Sequence, residues 1–317
     1  MTTNTRSPLR LPNIGRIGLL VLVVVLLAAG SVSLYWGERD KRHRAITLGD
    51  GSAPDQAGLL VLIQKVDPTT ATVSAQVQLV GAGFLMDERR RTLKEDLSIF
   101  SSAVANSAVT YKAGERPEFV SMKFALFNGV LTDYPFDSYT TNFVFRAFSG
   151  TAPNLRPVPL HVVFNNIDSF FQLAPRQEQS IHLPRALGNV KTVTPPEGTF
   201  VAEATVERST STVVFAVFIM VFMWSLTIAA LIAAWYVGSG RLGLFWSGLG
   251  FLGTLLFALI PLRNAVPGDP PIGSLIDFAA FFIAEGVVSI SMIVTVLHGY
   301  HVEAKKKQQG DVLAGAS

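Results

Sequence analysis

Apolar and polar positions divide the chain into two regimes. Four long apolar stretches run from Ile17 to Trp36, Val213 to Val237, Leu242 to Leu262 and Leu275 to Gly299, with a polar block between the first and second. Each reaches the roughly 20 residues that a helix needs to cross about 30 Å of hydrocarbon. The pattern predicts an integral membrane protein with one sizeable domain outside the bilayer.

Inside the polar block the period changes to two. Val73, Ala75, Val77 and Leu79 alternate with polar neighbours, as do Val120, Met122, Phe124 and Leu126. Phe143, Phe145 and the nearby Phe148 repeat the pattern, followed by Phe200, Ala202, Ala204 and Val206. Alternation bounded by Pro, Gly, Asn and Asp clusters predicts antiparallel strands with one buried face. One helix is expected near Glu88 to Val104. The expected fold is an extracytoplasmic all-β immunoglobulin-like sandwich joined to an α-helical transmembrane region of one N-terminal and three C-terminal helices. The predicted segments are a cytoplasmic N-terminus (1–16), an anchor (17–36), a tether (37–58), the β-domain (59–210), three membrane helices (211–299) and a cytoplasmic tail (300–317).

Charge then orients this layout. The polar block from Gly37 to Thr212 holds 18 Lys and Arg against 18 Asp and Glu, so the net charge of +3 arises elsewhere. Arg6, Arg10 and Arg16 precede the first stretch, Arg241 lies between the second and third, and Lys305, Lys306 and Lys307 follow the fourth. The positive-inside rule puts both termini in the cytoplasm of a plasma-membrane protein and the β-domain outside. Arg39, Lys41, Arg42 and Arg44, diluted by Glu38 and Asp40, run against that rule. Arg89 to Arg91, set among Asp87, Glu88, Glu95 and Asp96, read as a solvated helix face, and no basic stripe with interleaved aromatics points to nucleic acid. The first stretch carries small residues that suit signal cleavage, from Ala28 to Ser33, but Tyr35 and Trp36 suit an interfacial belt and favour an uncleaved anchor. The chain has no Cys, so neither a disulfide nor a thiolate metal site is available.

Candidate chemistry is sparse. No His-Glu-x-x-His, Gly-x-Ser-x-Gly or phosphate-binding Gly-rich loop occurs, and His298 and His301 read as solvated residues. The chain is therefore expected to be no enzyme and to carry no metal or cofactor. Tyr134-Pro135-Phe136-Asp137-Ser138-Tyr139 forms a stiff turn whose aromatics cannot all point inward. It is either a structural turn or an apolar tip held against the membrane end of the helices. The last strand, ending Val206-Glu207-Arg208, runs nearly straight into the second apolar stretch, an arrangement that transmits movement. In the third stretch Gly243, Ser247, Gly250, Thr254 and Ala258 share one helical face, which serves either close helix packing or a pathway. Glu285 lies near the middle of the fourth stretch, where a carboxylate needs water or protein around it. It is either a functional contact or an inter-helix hydrogen bond. Asp277 at the outer end is expected to cap the helix or to pair with Arg263.

The first span, the Tyr-Pro-Phe-Asp-Ser-Tyr motif and three closing spans together resemble an actinobacterial family of membrane proteins of unknown function. More distantly, residues from about 60 to 300 resemble pentameric ligand-gated channels of the Cys-loop type. Tyr134 to Asp137, Arg208, Pro267 to Pro271 and Ile276-Asp277 match that family's features in order. The resemblance implies an outer β-sandwich, a pore helix in the third stretch and a ring of five copies. Departures are the missing bracketing cysteines, the missing fourth closing helix, and Phe245, Trp246, Phe251 and Phe257 in the would-be pore helix. The expected function is a multi-pass membrane protein whose ligand- or partner-binding β-domain is coupled to a channel-like region. The alternative is a non-conducting accessory or scaffold protein of a cell-envelope complex. The expected partners are accordingly the lipid bilayer, copies of the chain itself and other envelope proteins.

Overall fold

The computed structural model describes residues 14–42, 44–50, 56–81, 83–87, 89, 92–151, 153–182, 192–239 and 245–314. They fall into two units, Met1–Arg44 and Ala45–Ser317. The first contains one helix, α1 (Ile14–Arg42), which includes the whole first apolar stretch.

The second unit begins with β-structure. Its strands are β1 (Ile46–Leu48), β2 (Ala57–Asp67), β3 (Thr72–Gly81), β4 (Met86–Asp87), β5 (Thr92–Leu93), β6 (Leu97–Ser101), β7 (Ala108–Tyr111) and β8 (Val120–Phe127). There follow β9 (Ser138–Ser149), β10 (Arg156–Val158), β11 (Leu160–Asn166), β12 (Phe171–Gln177), β13 (Ile181–His182), β14 (Thr192–Val193) and β15 (Thr199–Arg208). The main sheet has the order β1-β11-β2-β3-β8-β9-β15-β12, with β6 and β10 also pairing β9 and β7 pairing β6. The link between β8 and β9 spans only Leu126↔Thr141 and Phe127↔Thr140, and there the sheet turns back over itself. Ring contacts show the fold-over. Phe164 of β11 lies 5.1 Å from Phe143 of β9 and 6.5 Å from Phe200 of β15, although β11 pairs with neither. Phe124, Phe143 and Phe145 fill the space between, wholly shielded from solvent. Phenylalanine at alternate positions supplies the large apolar area that a cysteine-free domain must bury.

Two expectations are corrected here. The segment predicted as a helix near Glu88 to Val104 forms β5 and β6 among its described residues. Leu97 and Ile99 are buried while Ser98 and Phe100 are not, a period of two that charge at Asp87 to Arg91 obscured. Asp87 ends its strand by accepting from the Arg89 N–H at 3.0 Å, a turn rather than a helical face. Not every neighbour is antiparallel either. β2 and β11 run parallel over seven paired residues, from Ala57↔Leu160 to Ile63↔Asn166. That pairing needs a long connection, which the chain between them provides.

Among the described residues three helices are long and apolar enough to cross a membrane: Thr210–Gly238, Trp246–Asn264 and Asp277–Gln309. They correspond to α2 (Thr210–Gly238), α3 (Phe245–Asn264) and a π-turn at Asp277–Phe281 that opens α4 (Phe282–Ala314). Helix α4 thus continues through most of the segment expected as a tail. Ala216, Ile219, Met223 and Ala230 of α2 meet Leu252, Leu255 and Leu259 of α3 and Ala280, Ala284 and Val288 around α4. Spacings of three and four put these side chains on facing stripes. The opposite faces expose large apolar side chains such as Phe218, Trp235, Phe257 and Ile290, which hydrocarbon would solvate and water would not.

Candidate junction between the sheet and the helices

Strand β15 ends at Arg208 and α2 starts at Thr210, with Ser209 alone between them. Ser209 closes the helix N-terminus by accepting from the Thr212 N–H at 3.2 Å, and its own N–H donates to the Phe170 carbonyl at 2.8 Å. No flexible linker separates sheet from helix. Any displacement of β15 moves the first turn of α2.

The stiff turn between β8 and β9 meets this junction. Its three aromatics go three ways. Tyr134 is fully buried and belongs to the helical core, Tyr139 is buried in the sheet core, and Phe136 stands 60% exposed at the tip. The Tyr134-Pro135 peptide is cis, and the Tyr134 hydroxyl donates to the Pro267 carbonyl at 2.9 Å, in the loop between α3 and α4.

Asp137 and Arg208 form the centre. Arg208 Nε donates to Asp137 Oδ1 at 2.9 Å and its Nη2 to Oδ2 at 2.9 Å, a bidentate pair whose side chains are 2% and 0% exposed. The Tyr139 hydroxyl adds a third donor to Oδ2 at 2.9 Å. The guanidinium lies between two rings, 4.8 Å from the centre of Tyr134 and 4.2 Å from that of Phe171. Desolvation of such a pair is costly and is offset by the forked hydrogen bonds, the phenol and the two π-faces, while Nη1 is buried without a hydrogen-bond partner among the described residues. Burial drives the Tyr134 and Tyr139 phenols well above their ordinary pKa, with the Asp137 carboxylate pushing the same way. Both remain neutral donors. Arg208 Nη1 points at Gly268, where a Cβ would stand 2.5 Å away, and Gly268 also holds φ at +82°. Glycine is required there on both counts.

A second ion pair closes the loop from below. Arg263 Nε donates to Asp277 Oδ1 at 2.8 Å and Nη2 to Oδ2 at 2.9 Å, while Nη2 also reaches the Pro270 and Pro271 carbonyls. Asp277 Oδ2 further accepts from the Gly273 and Ser274 N–H groups at 2.7 and 3.2 Å. The two roles considered for Asp277, cap and partner of Arg263, are both filled. Sequence reasoning missed Asp168 and Phe171. Asp168 accepts from Val66 N–H at 2.6 Å with one oxygen and from the Phe170 and Phe171 N–H groups with the other, fixing the ring beneath Arg208. The signal was the Asn166-Ile167-Asp168 turn before an aromatic pair.

Tyr134, Asp137, Arg208 and Asp277 therefore gather at one level of the molecule, with Pro135 and Phe136 at its margin. The other candidates lie elsewhere. Glu285 is half-buried on α4, and its Oε2 has no hydrogen-bond partner among the described residues. On α3, Ser247, Gly250 and Thr254 are exposed and Ala258 is half-buried. Thr254 donates its hydroxyl to Gly250 O at 2.9 Å, within its own helix. Gly243 lies outside the described residues. Among the described residues no three His, Asp or Glu side chains group as metal ligands.

Comparison with known families divides the chain at this junction. Residues 47–194 match a domain of unknown function, DUF4436, and residues 208–302 match a second domain of unknown function, DUF8686. No curated protein matches. The first segment contains Asp137 and the second begins at Arg208, so the buried ion pair joins the two matched segments.

Proposed function

We propose that this is a multi-pass plasma-membrane protein whose extracytoplasmic β-domain, an immunoglobulin-like sandwich, binds a ligand or partner and drives a channel-like unit of three helices. The observation that carries the reading is the Asp137–Arg208 pair. It locks the turn before β9 to the end of β15, within one residue of α2, while Tyr134 from the same turn grips the α3–α4 loop. A domain that served only as a soluble appendage would not need a buried charge at its attachment point. In this reading α1 is an uncleaved anchor, both termini are cytoplasmic, and residues 59–210 and 211–299 are the coupled parts. The exposed small-residue face of α3 lines the axis of a ring of identical chains, five if the channel likeness extends to stoichiometry, and Glu285 contacts ions or a neighbouring copy. No catalytic role is assigned.

The competing reading is a non-conducting accessory or scaffold protein that binds other envelope proteins. Exposed Trp246, Phe251 and Phe257 on α3 favour it, because an axis lined by such side chains is narrow and dry. Mass measurement in mild detergent and ion flux from liposomes separate the two. A closed ring is expected, with Glu285→Gln changing flux more than folded yield. A monomer that co-purifies with other envelope proteins, or equal loss of yield and flux in Glu285→Gln, overturns the coupled-channel reading.

A further inference from the structure

The outer face of the sheet at β6, β8, β9 and β15 carries a cavity of about 430 Å3. Phe100, Phe127 and Val144 form its floor, and Ile181 and Val193 of the β13–β14 hairpin form a wall beside Pro195 and Pro196. The volume lies in the range of small-molecule sites, whose usual make-up is an apolar lining with a few placed polar groups.

Two polar groups here are placed in that way. Arg146 and Thr199 sit directly opposite each other on β9 and β15, so their side chains leave the sheet on one face about 5 Å apart. Arg146 Nε and Thr199 Oγ1 are both shielded from water, and neither has a hydrogen-bond partner among the described residues. Most shielded polar groups in folded proteins are satisfied, and two orphans directly opposite each other in one cavity leave a place for an acceptor. The rest of the guanidinium is only lightly held. Nη2 reaches only the Glu197 carbonyl, at 3.5 Å, the ring of Phe148 lies 4.8 Å from the guanidinium carbon, and among the described residues Arg146 forms no ion pair. Glu197, two residues before Thr199, meets Arg146 through its backbone carbonyl, and within β15 the nearest acidic position on this face is Glu203, opposite Asn142 and roughly 13 Å along from Thr199.

We propose that this groove binds a small amphipathic monocarboxylate, its carboxylate seated on Arg146 and Thr199 and its aryl or alkyl tail lying between Phe100, Phe127, Val144 and the hairpin. A carboxylate matches one guanidinium edge plus one hydroxyl. A phosphate group carries more charge and more acceptor oxygens than a single cation in an apolar groove satisfies. The assignment deepens the ligand-binding role given to the β-domain and rests on that reading.

The test uses the full-length protein in lipid nanodiscs and titration calorimetry with 4-phenylbutanoate and its neutral analogue 4-phenylbutanamide. The acid is expected to bind at least about tenfold more tightly than the amide. Arg146→Gln should abolish that preference, and Thr199→Val, which preserves volume and removes a hydroxyl without a partner, should weaken the acid alone. Thermal melting checks that each variant is folded, and Thr199→Val carries the test if Arg146→Gln is not. Equal affinity for acid and amide overturns the proposal, as does absence of binding at millimolar concentration or an acid preference that survives either variant. Such a failure, with the ring and its flux intact, removes the ligand class and leaves the coupling reading standing. A monomer without flux that still prefers the acid does the reverse.

Discussion

Arg208 is held by a carboxylate, two aromatic faces and a glycine, and each contact limits what the others tolerate. Removing one partner of a buried pair strands the other charge, at a cost of about 3–5 kcal/mol. Arg208→Gln is therefore expected to lower the melting temperature sharply, and Asp137→Asn should act similarly. The double variant should recover part of the loss, because no charge is then left stranded. Additive losses in the double-variant cycle would show that the pair is not coupled. Tyr111 supplies a pH test away from the junction. Its phenol is pushed up to about 12 from an ordinary 10.0, chiefly by burial. The folded form holds this proton more tightly than the unfolded chain, so the stability it contributes is complete below pH 10 and lost as pH rises toward about 12. Tyr111→Phe should flatten the fall in stability across that window, measured by denaturant unfolding at stepped alkaline pH, and an unchanged slope would refute the assignment.

Elements differ in how plainly their residues announce them. Strands β3, β8, β9 and β15 were legible because each buries every second side chain, and α2 to α4 because apolar runs of that length have few other uses. Strand β6 was not legible, since charges at Asp87 to Arg91 and short strands broken by turns mask its period. The parallel β2–β11 pair could not be read at all, for no local pattern encodes which distant strand lies alongside. At the junction, Asp137 and Arg208 were legible as separate residues of the coupling region but not as partners, and Phe171 matters only because Asp168 turns the backbone beneath the guanidinium. The loop between α3 and α4 offers a contrast between two glycines of similar backbone. Gly268 holds φ at +82° with Arg208 Nη1 in the path of a Cβ, while Gly273 holds φ at +92° with nothing within 4 Å. Gly273→Ala should cost about 1–2 kcal/mol from backbone strain alone, and Gly268→Ala distinctly more because Arg208 must also move. Equal melting temperatures for the two variants would mean that the guanidinium yields freely.

At the scale of the molecule, α2 and α4 surround only part of α3, and Trp246 stays 74% exposed in the single chain. If α3 lines the axis of a ring, lipid cannot reach it there. Brominated acyl chains should then quench Trp235, 73% exposed on α2, and leave Trp246 alone, so that Trp246→Phe hardly alters total quenching. A large drop in quenching on that substitution would place the α3 face in lipid. The position of β15 has a consequence for how the chain is made. Among the described residues it is the last strand to be synthesised, yet it lies between β9 and β12, and β12 has no other neighbour there in the sheet order. Until residue 208 has left the ribosome, β12 is unpaired and one edge of β9 stands open, a state in which strands recruit wrong partners. Since α2 follows after Ser209 alone, the sheet closes in the same interval of synthesis in which the apolar helix α2 is made. Closure of the sheet and the appearance of a helix apolar enough to cross a membrane thereby fall in one short stretch of synthesis.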